Sequence, residues 1–181
     1  PLWHWVSGFK VYVRGDKSPA AAAPLTTRAL VETWQEPRAA IPWAIACQQF
    51  NLLGSHDTPR MTSLLGNNPS LVRLAIALMF TYPGVPCIYY GDEIGLGRQG
   101  GESSRQCMNW DENNWDHDLR SYYQALARLR RSAPALIEGG FQLLLADADT
   151  LAFQRDSAAQ TLLVIAHRGT AARPAFPLPS F

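Results

Sequence analysis

Two adjacent ionisable residues, His56 and Asp57, follow a short apolar run and are the clearest candidates for chemistry in this sequence. The run Phe50–Leu53 stops at Gly54, and Pro59 is of a type common in the first turn of a helix. A buried strand that ends in charged groups is typical of an α/β active site, whose catalytic residues stand at the carboxyl ends of strands. The pattern therefore predicts a carboxylate, with a histidine beside it, at such a rim.

Each of these residues also has an ordinary structural interpretation. An Asp just before a helix commonly serves as an N-cap, because its carboxylate accepts hydrogen bonds from free backbone N–H groups. A neighbouring His is commonly a loop residue. Asp92 and Glu93 form another acidic pair, but adjacent residues leaving a strand point in different directions. We interpret that pair as a structural turn rather than as a catalytic pair, with Glu93 still able to line the site.

Composition and the remaining motifs exclude several classes of protein. The net charge is +1 with no basic run, which gives no case for nucleic acid binding. No apolar run is long enough to span a bilayer. The histidines lack the spacing of a metal-binding motif, and neither a glycine-rich phosphate loop nor a nucleophile elbow occurs. We therefore expect no metal, no cofactor and no membrane partner.

The three cysteines are odd in number and unclustered. Cys47 and Cys87 lie in apolar segments, which suggests buried thiols rather than a disulfide framework. Free thiols favour a reducing, cytoplasmic location.

The elements around the His-Asp pair read as a βαβ unit. Strands are predicted at about 50–54 and 85–90, and a helix over 70–82 begins at Asn68 as N-cap with Pro69 in its first turn. This helix is apolar nearly all round, so it should be buried, and both strands lack the polar alternation of a half-exposed sheet.

The segment before this unit reads as loop followed by helices. Residues 1–24 are rich in Gly, Pro and Ala and are predicted to be loop. Their aromatic residues are expected to pack, with stacking on a sugar as the alternative; they are Trp3, Trp5 and Phe9. A helix is predicted over 25–37, capped by Thr26 or Thr27 and stopped by Pro37, and a short helix over about 41–48.

After the second strand, residues 91–115 form a long loop whose place favours function. An amphipathic helix follows, defined by Leu119, Tyr122, Tyr123, Leu126 and Leu129. From residue 141 the hydrophobic period becomes extended. Strands are predicted at 141–145, 151–155 and 161–166, as in an antiparallel sheet, before an extended tail over 173–181.

Three motifs together resemble the α-amylase superfamily (glycoside hydrolase family 13). Phe50–Arg60 resembles the end of the seventh barrel strand, most closely in the neopullulanase, cyclomaltodextrinase and maltodextrin glucosidase branch. Tyr82–Leu96 is similar to the eighth strand and the turn after it. Arg105–Asp111 resembles an Arg-x-x-Met-x-Trp-Asp signature, and the three occur in the family's order over the middle two-thirds of the chain.

The resemblance implies an α/β fold, namely the C-terminal part of a (β/α)8 TIM barrel followed by the start of an antiparallel β-sandwich domain. Residues 1–136 would form the barrel portion and residues 137–181 the beginning of the β domain. A complete barrel needs about 250 residues, so we expect a piece of a longer protein. A homodimer formed through domains outside this sequence is also compatible with the resemblance.

The implied activity is that of a retaining glycoside hydrolase acting on the α-1,4 bonds of maltodextrins. Asp57 matches the carboxylate that stabilises the transition state, and His56 matches a neighbouring histidine that donates to the same sugar. Arg105 matches an arginine at the non-reducing end of the pocket, with a surface salt bridge as the alternative. The nucleophile and the acid/base would lie on strands outside this sequence, so these 181 residues alone are expected to be inactive.

Two alternatives remain open at this point. One is a transglycosylase on the same scaffold, and the other is a barrel-derived protein that binds carbohydrate without catalysis. Within the motifs, Arg60, one helical turn after Asp57, is interpreted as a structural ion-pair partner. Trp110 is interpreted as a packing residue, with a platform for a sugar as the alternative.

Overall fold

A computed structural model describes residues 2–7, 10–11, 20–21, 25–97 and 104–170. The helices in these ranges are α1 (Leu2–Ser7), α2 (Thr27–Ala39), α3 (Trp43–Ala46), α4 (Met61–Leu64), α5 (Pro69–Thr81), α6 (His117–Ser132) and α7 (Pro134–Ile137). The strands are β1 (Lys10–Val11), β2 (Ala20–Ala21), β3 (Phe50–Leu52), β4 (Val85–Cys87), β5 (Gly140–Asp147), β6 (Thr150–Ser157) and β7 (Gln160–His167). Short 3-10 turns span Asp92–Ile94 and Glu112–Asn114.

The centre of the fold is the βαβ unit that the sequence predicts. β3 and β4 pair in parallel, with Phe50 opposite Val85 and Leu52 opposite Cys87. α5 connects them and begins where expected, because the Asn68 side chain accepts hydrogen bonds from the backbone N–H groups of Ser70 and Leu71. Both strands therefore end at one edge of the sheet, and the segments that follow them are brought together there.

β3 is shorter and more exposed than predicted. The sequence predicts a buried strand over about 50–54, but Phe50 is 71% and Leu52 56% exposed. The reason is that, within the described residues, β3 pairs with β4 alone. A groove of about 530 Å³ with apolar walls runs along the strand towards Trp34 and Tyr82.

The N-terminal segment contains more regular structure than predicted. The prediction of loop for residues 1–24 is wrong where α1 forms and where β1 pairs with β2. Trp5 is fully buried, as expected, and its indole N–H donates to Thr27 Oγ1 at 2.9 Å. The side chains of Trp3 and Phe9 and the tail over 173–181 fall outside the described residues.

Two helix ends differ from prediction. Thr26 caps α2 as expected, but the helix runs through Pro37 to Ala39. Pro37 lies in the last turn, where one missing N–H disturbs few helical bonds. Beyond α6, a further short helix that was not predicted, α7, forms before β5 begins at Gly140.

The predicted strands after residue 140 are confirmed as an antiparallel sheet of three strands, β5–β6–β7. This sheet packs on the same core as α5, because Leu151 and Phe153 of β6 join the buried cluster. Arg155 is fully buried and donates to the backbone carbonyls of Thr81 and Gly139 at 2.8 and 3.0 Å. The guanidinium thus ties the sheet to the end of α5.

The three cysteines are free thiols. Cys47 and Cys87 are half-buried, and Cys107 is exposed. None of the helices in the described ranges has the length and apolar character needed to cross a bilayer.

Candidate active site

The turn after β3 presents His56 and Asp57 to solvent. Its hydrogen bonds are local: the Ser55 backbone N–H donates to Thr58 Oγ1 at 3.1 Å, and the Asp57 N–H donates to Ser55 Oγ at 3.2 Å. The side chains of His56 and Asp57 are 63% and 55% exposed. The turn therefore holds both residues by their backbone and leaves their polar groups available to a ligand.

The N-cap interpretation of Asp57 is wrong. α4 begins at Met61, its N-cap position is Arg60, and no side chain caps it. Pro59 correspondingly lies before the helix rather than in its first turn. The Asp57 carboxylate thus has no role in starting α4.

The structure brings the three predicted site residues together around one carboxylate. Asp57 Oδ2 lies 3.3 Å from His56 Nε2. The Arg105 guanidinium donates from Nη2 to Asp57 Oδ1 at 3.2 Å, although these residues are 48 apart in the chain. The predicted alternative for Arg105, a surface salt bridge, is thus present, and its partner is the candidate catalytic carboxylate.

The loop that carries Arg105 is held against the turn by further contacts. Arg105 Nε donates to the His56 backbone carbonyl at 3.2 Å, and Ser104 Oγ donates to the same carbonyl at 2.9 Å. The carboxyl ends of β3 and β4 are therefore joined by polar contacts around Asp57.

A buried ion pair lies behind this exposed cluster. Arg60 Nη1 donates to Asp92 Oδ1 at 3.0 Å, with side chains only 1% and 5% exposed. The interpretation of Arg60 as an ion-pair residue is confirmed, with Asp92 as its partner. Gly54 permits the approach, because a Cβ at that position would lie 2.8 Å from Asp92 Oδ2.

Burial raises the pKa of the Asp92 carboxyl to about 6, against the opposing effect of Arg60. Desolvation disfavours the charged form, and the neighbouring Glu93 adds to this effect. Asp92 faces the protein interior and the Arg60 guanidinium, whereas Asp57 faces solvent.

We expect the protein's stability to depend on pH through Asp92. Its folded pKa of about 6 lies above the ordinary Asp value of 3.8, so the folded state holds more protons between these values. The contribution is fully present below about pH 4 and is lost as the pH rises through about 6, a change of about 3 kcal/mol. In urea unfolding of the full-length protein, the stability difference between wild type and Asp92→Asn should shift by about this amount between pH 4 and pH 7. An equal difference at both pH values would rule out this titration.

The expected packing of Trp110 is wrong for the described part of the chain, since the residue is 78% exposed. Trp115 is the half-buried tryptophan of this segment, and its indole N–H donates to the Asn109 carbonyl at 2.8 Å. The sequence pattern did not distinguish the two because both are tryptophans in one irregular segment.

Sequence reasoning also missed Tyr89 and Tyr90, which lie at the carboxyl end of β4 and hydrogen-bond to the loop that carries Arg105. The signal available was a pair of aromatic residues with hydroxyl groups where a strand ends.

Across the described ranges, no three His, Cys, Asp or Glu side chains gather closely enough to hold a metal ion.

Comparison with known proteins gives a family match over most of the chain. Residues 11–134 match the family described as the α-amylase catalytic domain. A cyclomaltodextrinase from a Bacillus species is 42% identical over 118 residues, which are 64% of this chain and 21% of the relative. An intracellular maltogenic amylase from Bacillus subtilis is 34% identical over 123 residues, 66% of this chain and 21% of the relative.

Solved structures give the same result. The acarbose-soaked debranching enzyme from Nostoc punctiforme superposes with a TM-score of 0.81 at 29% identity, over 94% of this chain and 36% of that one. The chain spans about a fifth of the length of the curated relatives that it matches.

Proposed function

The chain belongs to the α-amylase family, and we propose that the protein it represents is a retaining hydrolase of the α-1,4-glucosidic bonds of maltodextrins. Its βαβ unit is part of a TIM-barrel-derived α/β fold. The names of its relatives, cyclomaltodextrinase and maltogenic amylase, support this substrate class. The observation that carries the proposal is the exposed Asp57 carboxylate at the carboxyl edge of the parallel strands, with His56 and Arg105 against it.

We propose that Asp57 stabilises the transition state. Glycoside hydrolysis passes through a flattened, oxocarbenium-like sugar ring. A carboxylate that accepts hydrogen bonds from ring hydroxyls makes stronger, charge-assisted bonds as positive charge develops. The exposure of the Asp57 side chain and its position after the carboxyl end of β3 support this role.

The reaction needs two further carboxyl groups, a nucleophile and an acid/base, about 5–5.5 Å apart. We propose that both come from strands outside this sequence. Asp92 is an unsuitable substitute for either because it is buried against Arg60, away from the exposed edge.

His56 and Arg105 are proposed to bind the same sugar as Asp57. The imidazole Nε2 at 3.3 Å and the guanidinium at 3.2 Å both lie beside the carboxylate, and both types of group can donate hydrogen bonds to sugar hydroxyls. A sugar entering the site would exchange these contacts for bonds to its own hydroxyls. The exposed pair gains little from its own attraction, so this exchange has a small energetic cost.

We also propose a division at about residue 137, with 1–136 as the barrel portion and 137–181 as the start of a β domain. The change from a parallel pair of strands to an antiparallel sheet at Gly140 supports it. A cytoplasmic location is proposed on the free thiols and on the relative named as an intracellular enzyme.

The test is sugar release by the full-length protein from maltodextrins, pullulan and cyclodextrins. We expect linear and cyclic α-1,4-glucans to be hydrolysed with retained anomeric configuration, and these 181 residues alone to release no sugar. Products longer than the substrate would indicate a transglycosylase instead. Binding without any turnover would contradict the proposal and indicate a non-catalytic protein.

A further inference from the structure

The position of Arg105 needs an explanation beyond its ion pair with Asp57. The two side chains are 68% and 55% exposed and their contact is 3.2 Å long. Exposed ion pairs of this kind contribute little, because solvent screens the charges and ordering a long side chain costs entropy. Arg105 Nε and Ser104 Oγ also donate to the His56 carbonyl, and a second set of contacts holds the backbone on both sides of Arg105.

The backbone on both sides of Arg105 is bound by two adjacent tyrosines. The Tyr89 hydroxyl donates to the carbonyl of Ser104 at 2.9 Å, and the Tyr90 hydroxyl donates to the carbonyl of Gln106 at 2.6 Å. These carbonyls belong to the residues immediately before and after Arg105 in the chain. Because the backbone is bound on both sides of Arg105, the position of the Arg105 Cα, from which the side chain extends, is restricted.

The rings of Tyr89 and Tyr90 both pack against the guanidinium of Arg60. The Arg60 guanidinium carbon lies 4.7 Å from the centre of the Tyr89 ring and 4.8 Å from that of the Tyr90 ring. The two rings meet edge to face, with centres 4.8 Å apart. Contacts of a desolvated cation with aromatic faces are favourable, and the Arg60 atoms Nε and Nη2 have no hydrogen-bond partner among the described residues.

Arg60 in turn is held by Asp92 at 3.0 Å and by the backbone carbonyl of Tyr90. The contacts therefore form a continuous series from a buried ion pair, through two aromatic rings and their hydroxyls, to the backbone around Arg105. Arg60 and Asp92 are buried, whereas Tyr90 is 39% exposed and its ring is held by its contacts with Arg60 and Tyr89.

We propose that Tyr89 and Tyr90 are positioning residues that set the place of Arg105 at the edge of the site, and through it the binding of linear maltooligosaccharides. The inference rests on the proposed function, because it takes Arg105 as a sugar-binding residue. Without the two hydroxyls the loop samples more arrangements, and Arg105 meets the sugar in a smaller fraction of them. Binding is then weakened by that fraction.

The experiment uses the full-length protein with maltotriose as the probe. Tyr89→Phe and Tyr90→Phe together remove both hydroxyls and keep both rings, so the contacts with Arg60 survive. We expect kcat/KM to fall about tenfold, mainly through KM, and the melting temperature to change little. Tyr122→Phe is the matched control. The Tyr122 hydroxyl, on α6, donates to the backbone carbonyl of Arg73, on α5, at 3.2 Å. The kcat/KM of this variant should equal that of wild type.

The decisive arm repeats the tyrosine double substitution in an Arg105→Ala background. If the hydroxyls act through Arg105, they should change kcat/KM less than twofold there. A tenfold loss in both backgrounds, or unchanged kinetics in the wild-type background, would overturn the inference. Asp57→Asn separates this failure from failure of the proposed function: a protein that depends on Asp57 but is indifferent to the tyrosine hydroxyls keeps its function and loses the positioning role.

Discussion

Replacing Asp57 by Asn in the full-length protein is expected to lower kcat by about a thousandfold or more, with the fold retained. Asn keeps the size of the side chain but cannot carry the negative charge that opposes the charge developing on the sugar ring. The turn should survive, because it is held by Ser55 and Thr58 and because Asp57 caps no helix. Steady-state kinetics on maltotriose, with a melting curve, measure both effects.

The matched control for this substitution is Asp118→Asn. Asp118 is an exposed carboxylate in the first turn of α6, and its loss should cost less than about 1 kcal/mol of stability and leave kcat unchanged. Near-normal turnover of Asp57→Asn would remove Asp57 from the catalytic site.

The largest effect on stability is expected from Arg60→Met, about 3–5 kcal/mol at pH 8. The substitution leaves the Asp92 carboxylate buried without its partner, at a pH where the carboxyl would otherwise be ionised. Urea unfolding of the full-length protein measures the change. Arg131→Met, on the exposed end of α6, should cost less than about 1 kcal/mol by comparison.

A second substitution identifies the cause of that loss. Adding Asp92→Asn to Arg60→Met removes the buried, unpaired charge of the Asp92 carboxylate. A large part of the free energy of unfolding lost in Arg60→Met should therefore be regained. If the double variant were as unstable as the sum of the two single losses, the cost would come from lost packing on Tyr89 and Tyr90 rather than from charge.

Local signals in the sequence were sufficient for the central unit of the fold. Asn68 and Pro69 predict the start of α5 because capping involves neighbouring residues, and the structure has the helix beginning there. The parallel pairing of β3 with β4 follows from two apolar runs joined by one helix. The exposure of Phe50 could not be predicted in this way, because an apolar run does not reveal which neighbours cover it.

The candidate site was predictable in its residues but not in its connections. The resemblance pointed to Asp57, His56 and Arg105 separately. The hydrogen bond from Arg105 to Asp57 joins residues 48 apart, and the contact from Tyr89 to Ser104 crosses a loop with no periodic pattern. Contacts of this kind depend on tertiary placement, which no spacing rule supplies.

The central claim is that Asp57 binds the reacting sugar more strongly in the transition state than before it. The most direct test compares the binding of two ligands by wild type and Asp57→Asn: an unreactive linear maltooligosaccharide, and an analogue whose ring at the reacting position is flattened and cationic. We expect affinity for the analogue to fall by about the same factor as kcat/KM, and affinity for the linear sugar to change less than about tenfold. Equal losses for both ligands, or none for the analogue, would contradict the account.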